Sequence, residues 1–123
     1  DFLSINNGEP SLIKSIILPD ELYGVAYGNG EFMIVGTSNG KALAAVLQNG
    51  KFQTIAVPST YESLATVAYG DGEFMIGGAS MNGAALGVFN TTFTDYSSEL
   101  PRNLVSVNAI AYGNGEFMIG GIV

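Results

Sequence analysis

Val25–Gly36 reads VAYGNGEFMIVG, and the phrase returns as VAYGDGEFMIGG over Val67–Gly78 and as IAYGNGEFMIGG over Ile110–Gly121. Tyr27, Tyr69 and Tyr112 therefore stand 42 and 43 residues apart. A fixed period of that length marks one supersecondary unit stacked on copies of itself, because a unit too small to bury its own apolar face must bury it against a neighbour. Within residues 22–58 the punctuation is Asn29-Gly30, Asn39-Gly40 and Asn49-Gly50. Asn and Gly both tolerate the positive φ of a two-residue type I′ hairpin. The turns delimit strand a at Leu22–Tyr27, strand b at Glu31–Thr37, strand c at Ala42–Gln48 and strand d at Lys51–Val57, a four-stranded antiparallel meander. Helix is not expected: intervals of about seven residues between turns are too short to repay nucleation.

Strand b is apolar at consecutive positions, Phe32-Met33-Ile34-Val35 and Phe74-Met75-Ile76. A strand so patterned is buried on both faces. Small residues follow at Gly36, Gly77-Gly78 and Gly120-Gly121, where a neighbouring backbone can approach closely. Sheets stacked face to face with their inner strands covered on both sides describe the blades of a β-propeller. The chain would then hold complete blades at 22–58 and 64–98. Residues 1–18, with an Asn7-Gly8 turn, match strands c and d, and residues 104–123 match strands a and b. The two halves are complementary, so the sequence reads as a circularly permuted array of three units in one repeat domain. It opens on Asp1 without an initiator Met, which reads as a processed chain or a piece of a longer one.

Composition narrows the function classes. Among the 123 residues, 47% are hydrophobic, enough for a core. No apolar run approaches the ~18 residues of a membrane-spanning helix, so membrane insertion is not expected. Four basic against eleven acidic side chains give a net charge of −7 with no basic cluster, which disfavours nucleic acid as a partner. The acidity reads as a solubility device. Without cysteine there are no disulfides or thiolate metal sites, and the compartment is not legible. Without histidine there is no His general base, no Ser-His-Asp triad and no imidazole ligand.

The phrase AYGNGEFMIVG, followed by a Gly-rich hairpin and a second Asn-Gly hairpin, resembles the repeats of β-propellers related to the Asp-box (BNR-like) and WD-repeat/YVTN-like superfamily. The resemblance runs through the whole chain by way of its repeats. It implies a blade architecture and, because such repeats occur in bacterial and phage surface proteins, an extracellular or virion-surface location. The sequence departs from the Asp-box pattern Ser-x-Asp-x-Gly-x-x-Trp at the c–d turn, with Leu47-Gln48-Asn49-Gly50-Lys51-Phe52 and Phe89-Asn90-Thr91-Thr92-Phe93 there, and it contains no Trp. The sialidase activity of some relatives does not carry over, since Arg102 is the only arginine and an arginine cluster is needed to grip a carboxylate.

Three blades do not close comfortably around a channel. Two chains would make six, with the C-terminal half-blade of each sheeted against the N-terminal half of the other, satisfying edges that an isolated half leaves open. A homodimer is the expected partner state; a trimer of nine blades and an open filament use the same junction. The alternative architecture is a three-unit monomer of the β-trefoil or β-prism kind.

Chemistry-bearing residues recur with the repeat. Tyr27, Asn29 and Glu31 are matched by Tyr69, Asp71 and Glu73 and by Tyr112, Asn114 and Glu116. An aromatic face flanked by amide and carboxylate suits a carbohydrate, so these nine are the candidate ligand-binding residues and a glycan the candidate ligand, making a lectin the alternative to a scaffold. The bland reading is packing for the tyrosines and solvent exposure for the glutamates. Met33, Met75 and Met118 read as core filler. Paired carboxylates could hydrolyse glycosides, but one Glu per repeat follows from the repeat itself, and no catalytic residue is assigned. One acid per turn is too sparse for calcium, so neither metal nor cofactor is expected. The GxG of YGNGEF closes a hairpin instead of opening a helix and is no nucleotide fingerprint. The expected function is a non-enzymatic, self-assembling structural or recognition module.

Overall fold

A computed structural model describes residues 2–6, 8–13 and 20–123, with side chains described from Glu21 onward. It is all-β, built of antiparallel sheets. β1 (Phe2–Asn6) and β2 (Glu9–Ile13) form a hairpin. β3 (Asp20–Gly28), β4 (Glu31–Ser38), β5 (Lys41–Gln48) and β6 (Lys51–Thr54) form a four-stranded meander in chain order. A second is made by β7 (Tyr61–Gly70), β8 (Glu73–Ser80), β9 (Gly83–Asn90) and β10 (Thr92–Asp95). β11 (Ser106–Gly113) and β12 (Glu116–Ile122) pair as the last sheet. A single 3₁₀ turn at Ser97–Glu99 lies in the segment that links β10 to β11.

The turn chemistry operates as the residues dictate. Asn29, Asn39, Asn49, Asp71 and Asn114 have φ of 51–53°, and the glycine after the first three, Gly30, Gly40 and Gly50, has φ of 76–79°. Both turn residues are thus left-handed, as a type I′ hairpin requires. Asn7 lies outside the described residues, and Gly8 takes φ 80°. The strand bounds differ from expectation at two ends. The first strand of each meander begins earlier, at Asp20 and Tyr61, and β6 stops at Thr54, short of Val57. Only Ile55 extends its ladder, by an N–H donated to the Ala44 carbonyl at 2.8 Å, and Pro58 downstream has no N–H to offer.

The β9–β10 turn lacks glycine. Thr91 takes φ 61° there, a conformation that crowds a β-branched side chain. Thr91→Gly is expected to raise stability by about 0.5–1 kcal/mol, strain relief outweighing the added freedom of the unfolded chain; urea denaturation checks it.

From β3 onward each sheet stacks on the next in chain order. β3, β4 and β5 pack against β7, and β7, β8 and β9 pack against β11. The side-chain alternation of paired strands fixes which residues face inward. Met33, Val35, Ala44 and Val46 leave the first sheet on one face and meet Leu64, Val67, Phe74 and Ile76 of the second in one buried cluster. The doubly apolar strand b is buried as expected in β4 at Met33, Ile34 and Val35, each at most 2% exposed, but not at Phe32, which is 43% exposed on the face no described sheet covers. In β12 it is not. Met118 is 67% exposed, correcting its reading as core filler, because no described sheet follows the last one to cover that face.

One glycine in each of the sheets that begin at β3, β7 and β11 is compelled by the backbone. Gly36, Gly78 and Gly121 pair with Leu22, Leu64 and Val107, and in each case a bulge follows the partner, at Tyr23, Ala65 and Asn108. The bulge turns the carbonyl before the partner, that of Glu21, Ser63 or Ser106, onto the space a Cβ would fill.

Candidate functional site

The nine candidate residues do not gather as three Tyr-Asx-Glu triplets. A tyrosine at the end of the first strand pairs with a phenylalanine of the second, Tyr27 with Phe32, Tyr69 with Phe74 and Tyr112 with Phe117, at centroid separations of 4.7–4.9 Å. The glutamate pairs one position on, with Gly28, Gly70 or Gly113, and so lies on the opposite face of its sheet. What the stacking brings together comes from successive repeats. The Tyr69 ring seats directly over Gly28 and the Tyr112 ring directly over Gly70, where a Cβ would have no room. Tyr69 thus shares a groove with Asn29 and Glu31 of the preceding sheet. Tyr112 stands in the same relation to the sheet of Asp71 and Glu73. Asn114, Glu116 and Tyr27 are left without a described neighbour of this kind: Tyr27 is 59% exposed, and nothing lies within 4 Å of a Cβ placed on Gly113.

The groove between the first two sheets encloses about 660 Å³. One wall is aromatic. Tyr69, Phe74, Phe89 and Phe93 are cross-strand neighbours in a single row over all four strands of the second sheet. The facing wall is mixed, with Val46, Ile55 and Ala56 beside the polar Glu31, Gln48 and Gln53, and with Asn29 and Thr54 at its margin and Asn90 on the rim. Glu31 is half-buried and not fully solvated as expected, since the Tyr69 sheet stands over it. Sequence reading found Asn29, Glu31 and Tyr69 but missed Gln48, Gln53, Phe89 and Phe93. The signal was there in Phe89-Asn90-Thr91-Thr92-Phe93, an aromatic on each side of a tight turn.

A second cluster, unforeseen, sits at the other end of the second sheet. The buried Tyr61 hydroxyl donates to Asp95 Oδ1 at 2.6 Å, and the same oxygen accepts from the Ser97 hydroxyl at 2.7 Å and the Ser97 N–H at 3.0 Å. Ser97 Oγ in turn accepts from the Leu86 N–H at 3.0 Å. Burial and the Asp95 carboxylate push the Tyr61 phenol well above its usual range. Burial raises the Asp95 carboxyl, but the hydrogen bonds from Tyr61 and Ser97 outweigh it and hold the group below the ordinary carboxylate value. The knot ties β7, β9 and β10 to the 3₁₀ turn and lines a cavity of about 600 Å³ with Arg102 at its mouth.

Among the described residues no three carboxylates gather as a metal site would require, and no helix is long and apolar enough to cross a membrane. No protein-family model matches the chain, and no curated protein matches it.

Proposed function

We propose that the chain is a non-enzymatic structural or recognition module of the β-propeller type that assembles with further copies of itself. One observation carries the reading. Two internal junctions are made by the same lock, Tyr69 over Gly28 and Tyr112 over Gly70, and the unmated halves of a third are both on the chain, as Tyr27 and Gly113. Around Tyr27 the first sheet exposes Val25 at 61% and Phe32 at 43%, the counterparts of Val67 and Phe74, which are buried in the first junction. Around Gly113 the last sheet exposes Met118, the counterpart of the buried Met33. An apolar face whose complement lies on the same chain is a heterologous, head-to-tail interface, and such interfaces close into rings or run on as filaments. Two chains give six blade equivalents. The exposed edge of β12 would then pair with β1 of the second copy, completing the split blade. The family resemblance favours the same architecture over a trefoil or prism monomer and is the sole ground for a cell or virion surface. The three glutamates stand one per sheet, a placement that supports no paired-carboxylate chemistry.

Native mass tests the proposal. The parent is expected at twice its 12.8 kDa or higher at micromolar concentration. Gly113→Leu fills open space in the single chain, so it should keep the circular dichroism of the parent yet weaken assembly by about tenfold or more, a wrong fit at the centre of an interface costing at least about 1.4 kcal/mol. A parent that runs at 12.8 kDa would overturn the proposal and favour a closed three-unit monomer.

A further inference from the structure

We infer that the groove between the first two sheets is a binding site for a neutral saccharide. Its two walls differ in chemistry in the way the two aspects of a pyranose differ. A sugar ring presents a patch of C–H groups on one side and hydroxyls around its edge; the groove presents the Tyr69-Phe74-Phe89-Phe93 row on one side and the amide groups of Gln48 and Gln53 on the other. Aromatic faces suit the C–H patch. Side-chain amides donate and accept together, which matches the paired donor and acceptor character of vicinal hydroxyls. Few convergent polar groups on an apolar floor are the general form of a small-molecule site, and about 660 Å³ accommodates one or two sugar rings.

Charge narrows the class. The described lining contains no lysine or arginine and one carboxylate, Glu31, in a chain of net charge −7. Phosphorylated, sulfated and carboxylated ligands are therefore disfavoured by the local field. The amide positions are set by strand register. Met33 pairs with Val46 and Val46 with Gln53, so the row that enters the apolar core through Met33 and Val46 ends in an amide on the edge strand β6. Gln48 and Gln53 are both exposed and lie on the Val46 face of their sheet, where their amides can turn toward a ligand.

The site lies within one chain, so its test is independent of assembly. The parent and the Gly113→Leu variant are titrated by NMR with lactose, maltose, cellobiose and N,N′-diacetylchitobiose, and with glucose 6-phosphate as the charged comparison. At least one neutral disaccharide is expected to shift the Gln48 and Gln53 side-chain amides and the Phe89 and Phe93 rings in both proteins, with a dissociation constant of about 1 mM or tighter. The Gln48→Ala/Gln53→Ala double variant should keep the melting temperature and lose about tenfold in affinity, having removed two amide partners. Met118→Ala, on the far face of the last sheet, should bind as the parent does. Absence of saturable shifts with all four disaccharides overturns the inference. So does saturation centred outside the groove, equal affinity in the double variant, or tighter binding of glucose 6-phosphate.

Discussion

Gly78→Ala combined with Gly36→Ala is expected to leave the chain unfolded at room temperature. A Cβ on Gly78 would collide with the Ser63 carbonyl oxygen and come within 2.7 Å of Leu64 Cα; one on Gly36 would collide with the Glu21 carbonyl oxygen and come within 3.0 Å of Leu22 Cα. All of these are backbone atoms of paired strands, so no rotamer change relieves them, and the bulges that aim the carbonyls would have to open. Overpacking of this kind costs about 3 kcal/mol at each site. The glycines lie in different sheets, so the costs add to about 6 kcal/mol, comparable to the whole stability of a small domain. Gly113→Ala is the control at a concentration too low for assembly, with nothing within 4 Å of the added methyl in the single chain and an expected change within about 0.5 kcal/mol. Urea denaturation of the three proteins separates a compelled glycine from a merely permissive one. Retention of a cooperative transition near the parent midpoint by the double variant would show that the bulges yield cheaply.

The strands and turns of this fold were legible because their signals are local. Asn39-Gly40 announces a left-handed pair regardless of what packs around it, and the apolar run announces the double burial that Met33, Ile34 and Val35 show. Gly36 and Gly78 could be recognised as places of close approach, but not what approaches, since the Glu21 and Ser63 carbonyls arrive only through bulges that no residue type marks. The tyrosines show a different limit. Tyr27, Asn29 and Glu31 are contiguous in sequence and were read as one constellation, yet alternation sends the tyrosine and the glutamate to opposite faces, and the glutamate meets the tyrosine of the following repeat. Reading by repeat also hid whatever is not repeated. Tyr61, Asp95 and Ser97 have no counterpart in the motif phrases, although Asp95-Tyr96-Ser97 has the spacing of an Asx turn, the Asp oxygen accepting the N–H two residues on.

That unrepeated knot carries the other large effect. Tyr61 is 2% exposed and packs edge-on to Phe93 at 5.9 Å, so Tyr61→Ala should cost about 4 kcal/mol, most of it lost packing and cavity. Tyr61→Phe keeps the ring and removes the donor to Asp95, and a hydrogen bond to a charged group is worth about 2 kcal/mol. The two causes separate by pH. Asp95 titrates below its ordinary value of 3.8 in the folded chain, so its contribution is present above that value and is lost as pH falls through the lower, folded value. The gap between parent and Tyr61→Phe should therefore be full at neutral pH and narrow in acid. At the alkaline end the sign reverses. Tyr61 ionises near 10 when unfolded and higher when folded, so the stability it confers is present below 10 and drains away as pH rises toward the folded value. The parent should lose stability above pH 10 more steeply than Tyr61→Phe, which has no phenol at that site to ionise. Parallel stability curves for the two proteins across both limbs would mean that Tyr61 acts through packing alone, and the carboxylate at Asp95 would then hold the 3₁₀ turn through Ser97 without it.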